Sequence, residues 1–231
     1  MRFVFLLLLL VAPVYGENIV LDDTPNEVVA VQALIDRFDD TTLVIRTDVY
    51  AVTPAFVIYA EAAASFGDCA VDPLIAALDE GGQIRLAAAI GLQAVGPAAI
   101  KAKPFLIEML ASQSDRENIL ACGIIQGIGP NAVELVPQLR KLLSSDNFHV
   151  QYWACRGLSS IGPGAEDAVH DLLLWLKYGV ASVRRNAAIA IGNIGPGLAC
   201  PLIIERLTVA LDDRSVPVRE AAQEALLKLS P

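Results

Sequence analysis

Residues 183–196 read VRRNAAIAIGNIGP, and the pattern occurs three times upstream, as IRLAAAIGLQAVGP at 84–97, ENILACGIIQGIGP at 117–130 and VQYWACRGLSSIGP at 150–163. The closing pairs Gly96-Pro97, Gly129-Pro130, Gly162-Pro163 and Gly195-Pro196 are each 33 residues apart. A period of that size marks one supersecondary unit stacked on copies of itself, because a single unit cannot bury its own apolar face. A fifth copy, VREAAQEALLKLSP, follows at 218–231 after a two-residue insertion and ends on Ser230-Pro231.

Counting from the first residue of each copy, alanine holds the fifth place throughout, as Ala88, Ala121, Ala154, Ala187 and Ala222. Large aliphatics hold the ninth (Leu92, Ile125, Leu158, Ile191, Leu226) and the twelfth (Val95, Ile128, Ile161, Ile194, Leu229). Places 1, 5, 9 and 12 share one face of a helix, so each copy predicts a helix of about three turns, with alanine where helices cross closest. The glycine then supplies a left-handed residue at the helix end, and the proline prevents continuation. Upstream of each copy lies another apolar helix whose last core leucine is Leu110, Leu143, Leu176 or Leu211, with Pro73, Pro104, Pro137 and Pro201 near helix starts. The unit is helix, turn, helix, without a strand signal.

The ankyrin turn motif and the tryptophan, glycine and tyrosine pattern of tetratricopeptide repeats are both absent. The copies instead resemble the HEAT repeat, an armadillo-like helical unit, in the short form known from phycobilisome lyases, whose second helix reads like VRxAAAxALGxIG. The Val-Arg opening stands at Val183-Arg184 and Val218-Arg219 and, weakened, at Ile84-Arg85; Glu117-Asn118 and Val150-Gln151 depart from it. Family members place an aspartate a few residues upstream, a role that Asp79, Asp146 and Asp213 match, although the two departures interrupt an Asp-Arg ladder. The resemblance implies an all-α fold, a right-handed α-solenoid of stacked HEAT-like repeats over residues 68–231. It also implies a scaffold that binds a protein partner; an accessory role in enzyme assembly or cofactor attachment is the alternative.

Residues 1–16 read as a signal peptide, with Arg2, an apolar run from Phe3 to Val11 and small residues before a cleavage point after Gly16. Residues 17–67 read as a divergent N-terminal capping repeat. The expected product is an exported, soluble monomer, periplasmic or secreted. Cleavage removes only Arg2 among the charges, leaving 16 basic against 26 acidic residues, a formal minus 10. Acidic pairs such as Asp22-Asp23 and Asp212-Asp213, and no basic stripe, argue against a nucleic-acid partner. No stretch after residue 16 reads as long and uncharged enough to span a membrane.

The four cysteines show no metal-ligand spacing. Cys122 and Cys155 hold equivalent places in adjacent repeats, where packed helices stand ~8–10 Å apart, too far for a disulfide. All four are expected to be small, mostly buried thiols. His149, expected in a turn, and His170, near a first-helix start, have no ligand-spaced partner, and nucleophile and phosphate-loop motifs are absent. No catalytic residue, cofactor or metal is therefore assigned, and a non-enzymatic role is expected. Binding is expected on the second helices, which line the concave wall in such solenoids. Their off-core third, seventh, tenth and eleventh places hold Leu86, Ile90, Gln93, Ile119, Gly123 and Gln126, then Tyr152, Arg156, Ser160, Arg185 and Asn193. Tyr152, Arg156, Arg185, Asn193 and Gln126 are the candidate protein-binding residues, because an aromatic beside arginines is what interface hot spots favour.

Overall fold

The computed structural model describes residues 65–195, 197 and 200–229, together with residue 35. The expected signal peptide and nearly all of the expected capping repeat lie outside these residues. The chain divides into two compact units, residues 1–101 and 102–231. In the first, helices α1 (Asp68–Leu78) and α2 (Gly82–Val95) pack together around Val71, Leu74, Ala88 and Leu92.

The second unit holds α3 (Lys103–Ala111), α4 (Asp115–Ile128), α5 (Val136–Leu143), α6 (Phe148–Ile161), α7 (Val169–Tyr178), α8 (Ala181–Ile194), α9 (Pro201–Ala210) and α10 (Val216–Leu229). Helices α4, α6, α8 and α10 stack in order as one layer, α3, α5, α7 and α9 form the other, and each pair packs within its repeat. Among the described residues there is no strand. The predicted period thus becomes a two-layer helical stack whose core is the seam between layers.

The anchors of the pattern sit where the spacing places them. Ala121, Ala154, Ala187 and Ala222 are wholly inaccessible, as are Ile125, Leu158 and Ile191, while Ile128, Ile161, Ile194 and Leu229 are buried. The first and last copies loosen, since Val95 and Leu226 are half-buried. Leu211 is also half-buried, outside α9, and Leu207 and Ala210 supply the core contacts expected of it. Each second helix runs for 14 residues, about four turns, because it begins two residues before the aligned block. That earlier start also puts His149 in the first turn of α6, and not in a turn before it.

The closing glycines have φ of 81°, 65°, 68° and 107° at Gly96, Gly129, Gly162 and Gly195. Their ψ values lie between −135° and −178°, the mirror of the extended region and not the left-handed helical one, a conformation that belongs almost wholly to glycine. After three of them comes an unpredicted seven-residue 3-10 helix, at Gly96–Ala102, Gly129–Leu135 and Gly162–Ala168. Residues three apart eclipse in a 3-10 helix, which explains why Ala99, Ala132 and Ala165, then Ala102, Leu135 and Ala168, are all buried. Pro104, Pro137 and Pro201 stand in first turns, but Pro73 lies inside α1. There the α-helix starts early, from Gly67, and absorbs the segment that is 3-10 elsewhere.

Two helical runs, Ile84–Ala111 and Asp115–Leu143, reach the length and mean hydropathy (1.2 and 1.5) of a membrane span, which corrects the reading that nothing after residue 16 does. Each is interrupted by a positive-φ glycine and a 3-10 segment, at Gly96 and Gly129, and most of the second is buried against neighbouring helices. Neither is one straight apolar rod.

Candidate functional site

In four of the five copies the second place, where arginine was expected to define a ladder, reaches back toward the turn between the two helices of its repeat. Arg85 Nε donates to the Leu78 carbonyl, Gln151 Nε2 to Ser145 O at 2.6 Å, Arg184 Nη1 to Gly179 O at 2.9 Å and Arg219 Nη1 to Asp213 O at 2.8 Å. Glutamine is long enough for this bond, so Gln151 keeps half of the arginine's role. Asn118 is too short for it, and its buried Oδ1 has no hydrogen-bond partner among the described residues. Asp213, the aspartate upstream of Arg219, pairs instead with Arg184 of the preceding repeat, through Nε–Oδ2 and Nη2–Oδ1 bonds of 2.7 Å each. Asp79 and Asp146 are exposed and make no ion pair among the described residues. Between the preceding repeats the link is neutral-to-charged: Asn147 Nδ2 donates to Asp115 Oδ2 at 2.8 Å while its Oδ1 caps α6.

On the far face of the second-helix layer, α6 brings Tyr152 and Arg156 together one turn apart. Arg156 Nη1 donates to the Tyr152 hydroxyl at 2.9 Å. Its guanidinium carbon also lies 4.9 Å from the Trp153 ring centre and 5.7 Å from that of Tyr152, and the two rings meet edge to face. Trp153 is half-buried and forms the floor of this cluster, with its Nε1 enclosed and without a hydrogen-bond partner among the described residues. Among the described residues no acidic side chain pairs with Arg156. The guanidinium is therefore held in one orientation by aromatic groups, with Nε and Nη2 uncommitted.

The other expected residues divide. Arg185 stands on α8, exposed and without a salt bridge among the described residues. Asn193 is taken up by a cross-helix ladder: its Nδ2 donates to Ser159 Oγ at 2.8 Å, and Lys228 Nζ donates to its Oδ1 at 2.8 Å. Lys228 also pairs with Glu224 at 2.7 Å and holds that carboxyl below its ordinary range, with a smaller pull from Arg185. Gln126 on α4 is half-buried, its enclosed Oε1 unpartnered among the described residues. Ser160 turns inward onto the Gly157 carbonyl at 2.8 Å. Gly123 is buried, not exposed as its place in the copy suggested, because helices α4 and α6 pack closely.

Burial pushes the Cys155 thiol up to about 12 and raises Cys122 too, so neither is a nucleophile at neutral pH. Cys122, Cys155 and Cys200 are free thiols, but Cys69 and Cys200 are exposed and not buried as expected, since both lie at helix starts outside the core seam. Among the described residues no group of three or more His, Cys, Asp or Glu side chains converges as metal ligands would.

A family model of HEAT repeats matches residues 104–191. Among solved structures, a designed armadillo repeat protein matches with a TM-score of 0.59 at 18% identity, over 87% of this chain and 100% of its own. Two crystal structures of engineered proteins are similar, one with a TM-score of 0.58 at 24% identity over 87% and 96% of the two chains. The other has a TM-score of 0.61 at 19% identity over 91% and 99%. Comparison with curated proteins gives no match. The fold is an α-solenoid of stacked helix pairs, similar to that of the designed armadillo repeat protein, and residues 104–191 match the HEAT-repeat model.

Proposed function

We propose that this protein is an exported, non-enzymatic scaffold that binds a protein partner through the exposed face of its second helices. Tyr152, Arg156 and Arg185 form the centre of that surface, with Gln126 and Asn193 at its edges. One observation carries the reading: Arg156 is oriented by Tyr152 and Trp153 yet has no acidic partner among the described residues, on a chain of net charge −9. Guanidinium groups presented this way beside aromatics are typical interface anchors. The non-enzymatic part rests on the chemistry of the chain, whose two histidines have no ligand-spaced partner and which lacks nucleophile motifs.

Export is tested by expressing the full chain and sequencing the N-terminus of the product outside the cytoplasm, which is expected to begin at Glu17. The binding face is tested by affinity capture from that exported fraction, followed by affinity measurement with the Arg156→Ala/Arg185→Ala double variant. An unchanged affinity for the captured partner refutes the assignment of the face.

A further inference from the structure

We infer that the outer face of the last two repeats binds a second copy of this chain about a two-fold axis between α7 and α9, so that the monomer expected from the sequence pairs in solution. The first argument is where apolar side chains are left in water. Among the described residues ten large apolar side chains are exposed. Six of them lie on α7, on α9 or where these lead into the next helix: Leu174, Tyr178, Val180, Leu202, Val209 and Val216, between 42% and 68% exposed. Leu174 and Tyr178 stand one turn apart on α7, Leu202 and Val209 two turns apart on α9, and the two helices pack side by side. Arg184 ties the turns that follow them to each other, through the Gly179 carbonyl and the Asp213 carboxylate. Two apolar ridges with charges beside them match the make-up of a standard interface, apolar at its centre and polar at its rim, which takes ~800 Å² from each partner.

The second argument is charge. Earlier in this layer, ion pairs 31 residues apart join successive repeats, Lys103 with Glu134 and Arg140 with Asp171. At the same distance after Lys177 stands Thr208, so that rung is missing between α7 and α9. Lys177 turns onto Tyr178, its Nζ 4.7 Å from the ring centre; its hydrogen bond and charge, with smaller help from Arg206, hold the hydroxyl below its ordinary range. Cations thus gather on the α7 side. The α9 side presents Glu205 and, just past the helix end, Asp212, both exposed, with Arg214 farther along the turn. As first helices of successive repeats, α7 and α9 run the same way, so a two-fold axis parallel to them lays α7 of each copy over α9 of the other. Lys177 then faces Glu205 and Asp212, twice by symmetry, and the apolar ridges meet between them. Residues 131–231 carry ten basic and ten acidic side chains, so this part of the chain meets its copy without net repulsion.

The test is sedimentation velocity on the full chain over a concentration series. A monomer–dimer equilibrium is expected, with a dissociation constant on the order of 10 μM. Tyr178→Ser/Val209→Ser, which alters two exposed side chains, should raise that constant about tenfold or more. Charge reversal tests the two-fold arrangement. Lys177→Glu alone, and Glu205→Lys/Asp212→Lys alone, each set like charges together and should dissociate the dimer, whereas an equimolar mixture of the two variants should associate as tightly as the parent. Leu227→Ser, at the far end of α10 and as exposed as Tyr178, should leave the equilibrium unchanged. A parent that stays monomeric up to about 0.2 mM overturns the inference, as does a mixture that associates no better than either variant. Flotation of a monomeric parent on phosphatidylcholine–phosphatidylglycerol vesicles, lost in Tyr178→Ser/Val209→Ser, overturns it too and gives the face to a membrane.

Discussion

Replacing Asp213 by asparagine removes the charge from the pair that ties α8 to the turn before α10. The Arg184 and Asp213 side chains are only 7% and 14% exposed, and the two bonds between them are each 2.7 Å long. Asparagine can still accept one of these bonds, but it leaves the guanidinium buried with only the Gly179 carbonyl as its other partner. Removing one member of a buried pair costs about 3–5 kcal/mol, and the retained bond puts this variant near 3 kcal/mol. The pH dependence has a definite sign. Hydrogen bonds from Arg184, joined by the Ser215 N–H, outweigh desolvation and hold the Asp213 carboxyl below its ordinary range. Its stabilising contribution is therefore complete above the unfolded value of ~3.9 and is lost as pH falls through the lower native value. Urea unfolding followed by circular dichroism should show the full deficit at neutral pH and a closing gap in acid. Amide exchange should speed up first in α10, since a repeat stack opens locally. A deficit under about 0.5 kcal/mol, or one that stays constant into strong acid, would show that the pair does not hold this repeat in place.

Three further outcomes follow from the same structure. Gly162→Ala forces a Cβ onto a residue with φ of 68° and ψ of −135°, and should cost about 1–3 kcal/mol in thermal unfolding; a neutral effect would refute the assigned backbone conformation. Asn118→Leu removes a buried, unpartnered acceptor and should stabilise by about 1 kcal/mol in the same assay, whereas a loss would mean that Oδ1 is satisfied. In the native chain a disulfide-exchange reagent should label Cys69 and Cys200 quickly, and Cys122 and Cys155 only on unfolding; fast reaction of all four thiols would contradict the burial of the inner pair.

Much of the fold was legible in the sequence because packing imposes a strict period. Ala154 and Leu158 have to be small and large at fixed places for α6 to meet its neighbours, so the residue types carry the register. The 3-10 segments were not legible although Ala99, Ala132 and Ala165 recur at the same 33-residue spacing, because a Gly-Pro pair ends an α-helix whether or not a short helix follows it. The candidate site was only partly legible. Tyr152, Arg156 and Arg185 could be placed on one face from register alone. Register could not show that Asn193 is engaged by Ser159 and Lys228, that Trp153 lies beneath Arg156, or that Gln151 does an arginine's work, because each depends on where a long side chain ends.

By itself the sequence determined the all-helical class, the repeat boundaries and the buried face of each second helix, because helical periodicity and glycine's access to positive φ are local properties of the chain. The tertiary structure decided which charged groups neutralise one another. Arg184 and Arg185 are neighbours in sequence, yet one is buried against Asp213 and the other is open to solvent. Successive helical residues point about 100° apart, and only the packing of α8 against its neighbours determines which of those directions ends in a partner.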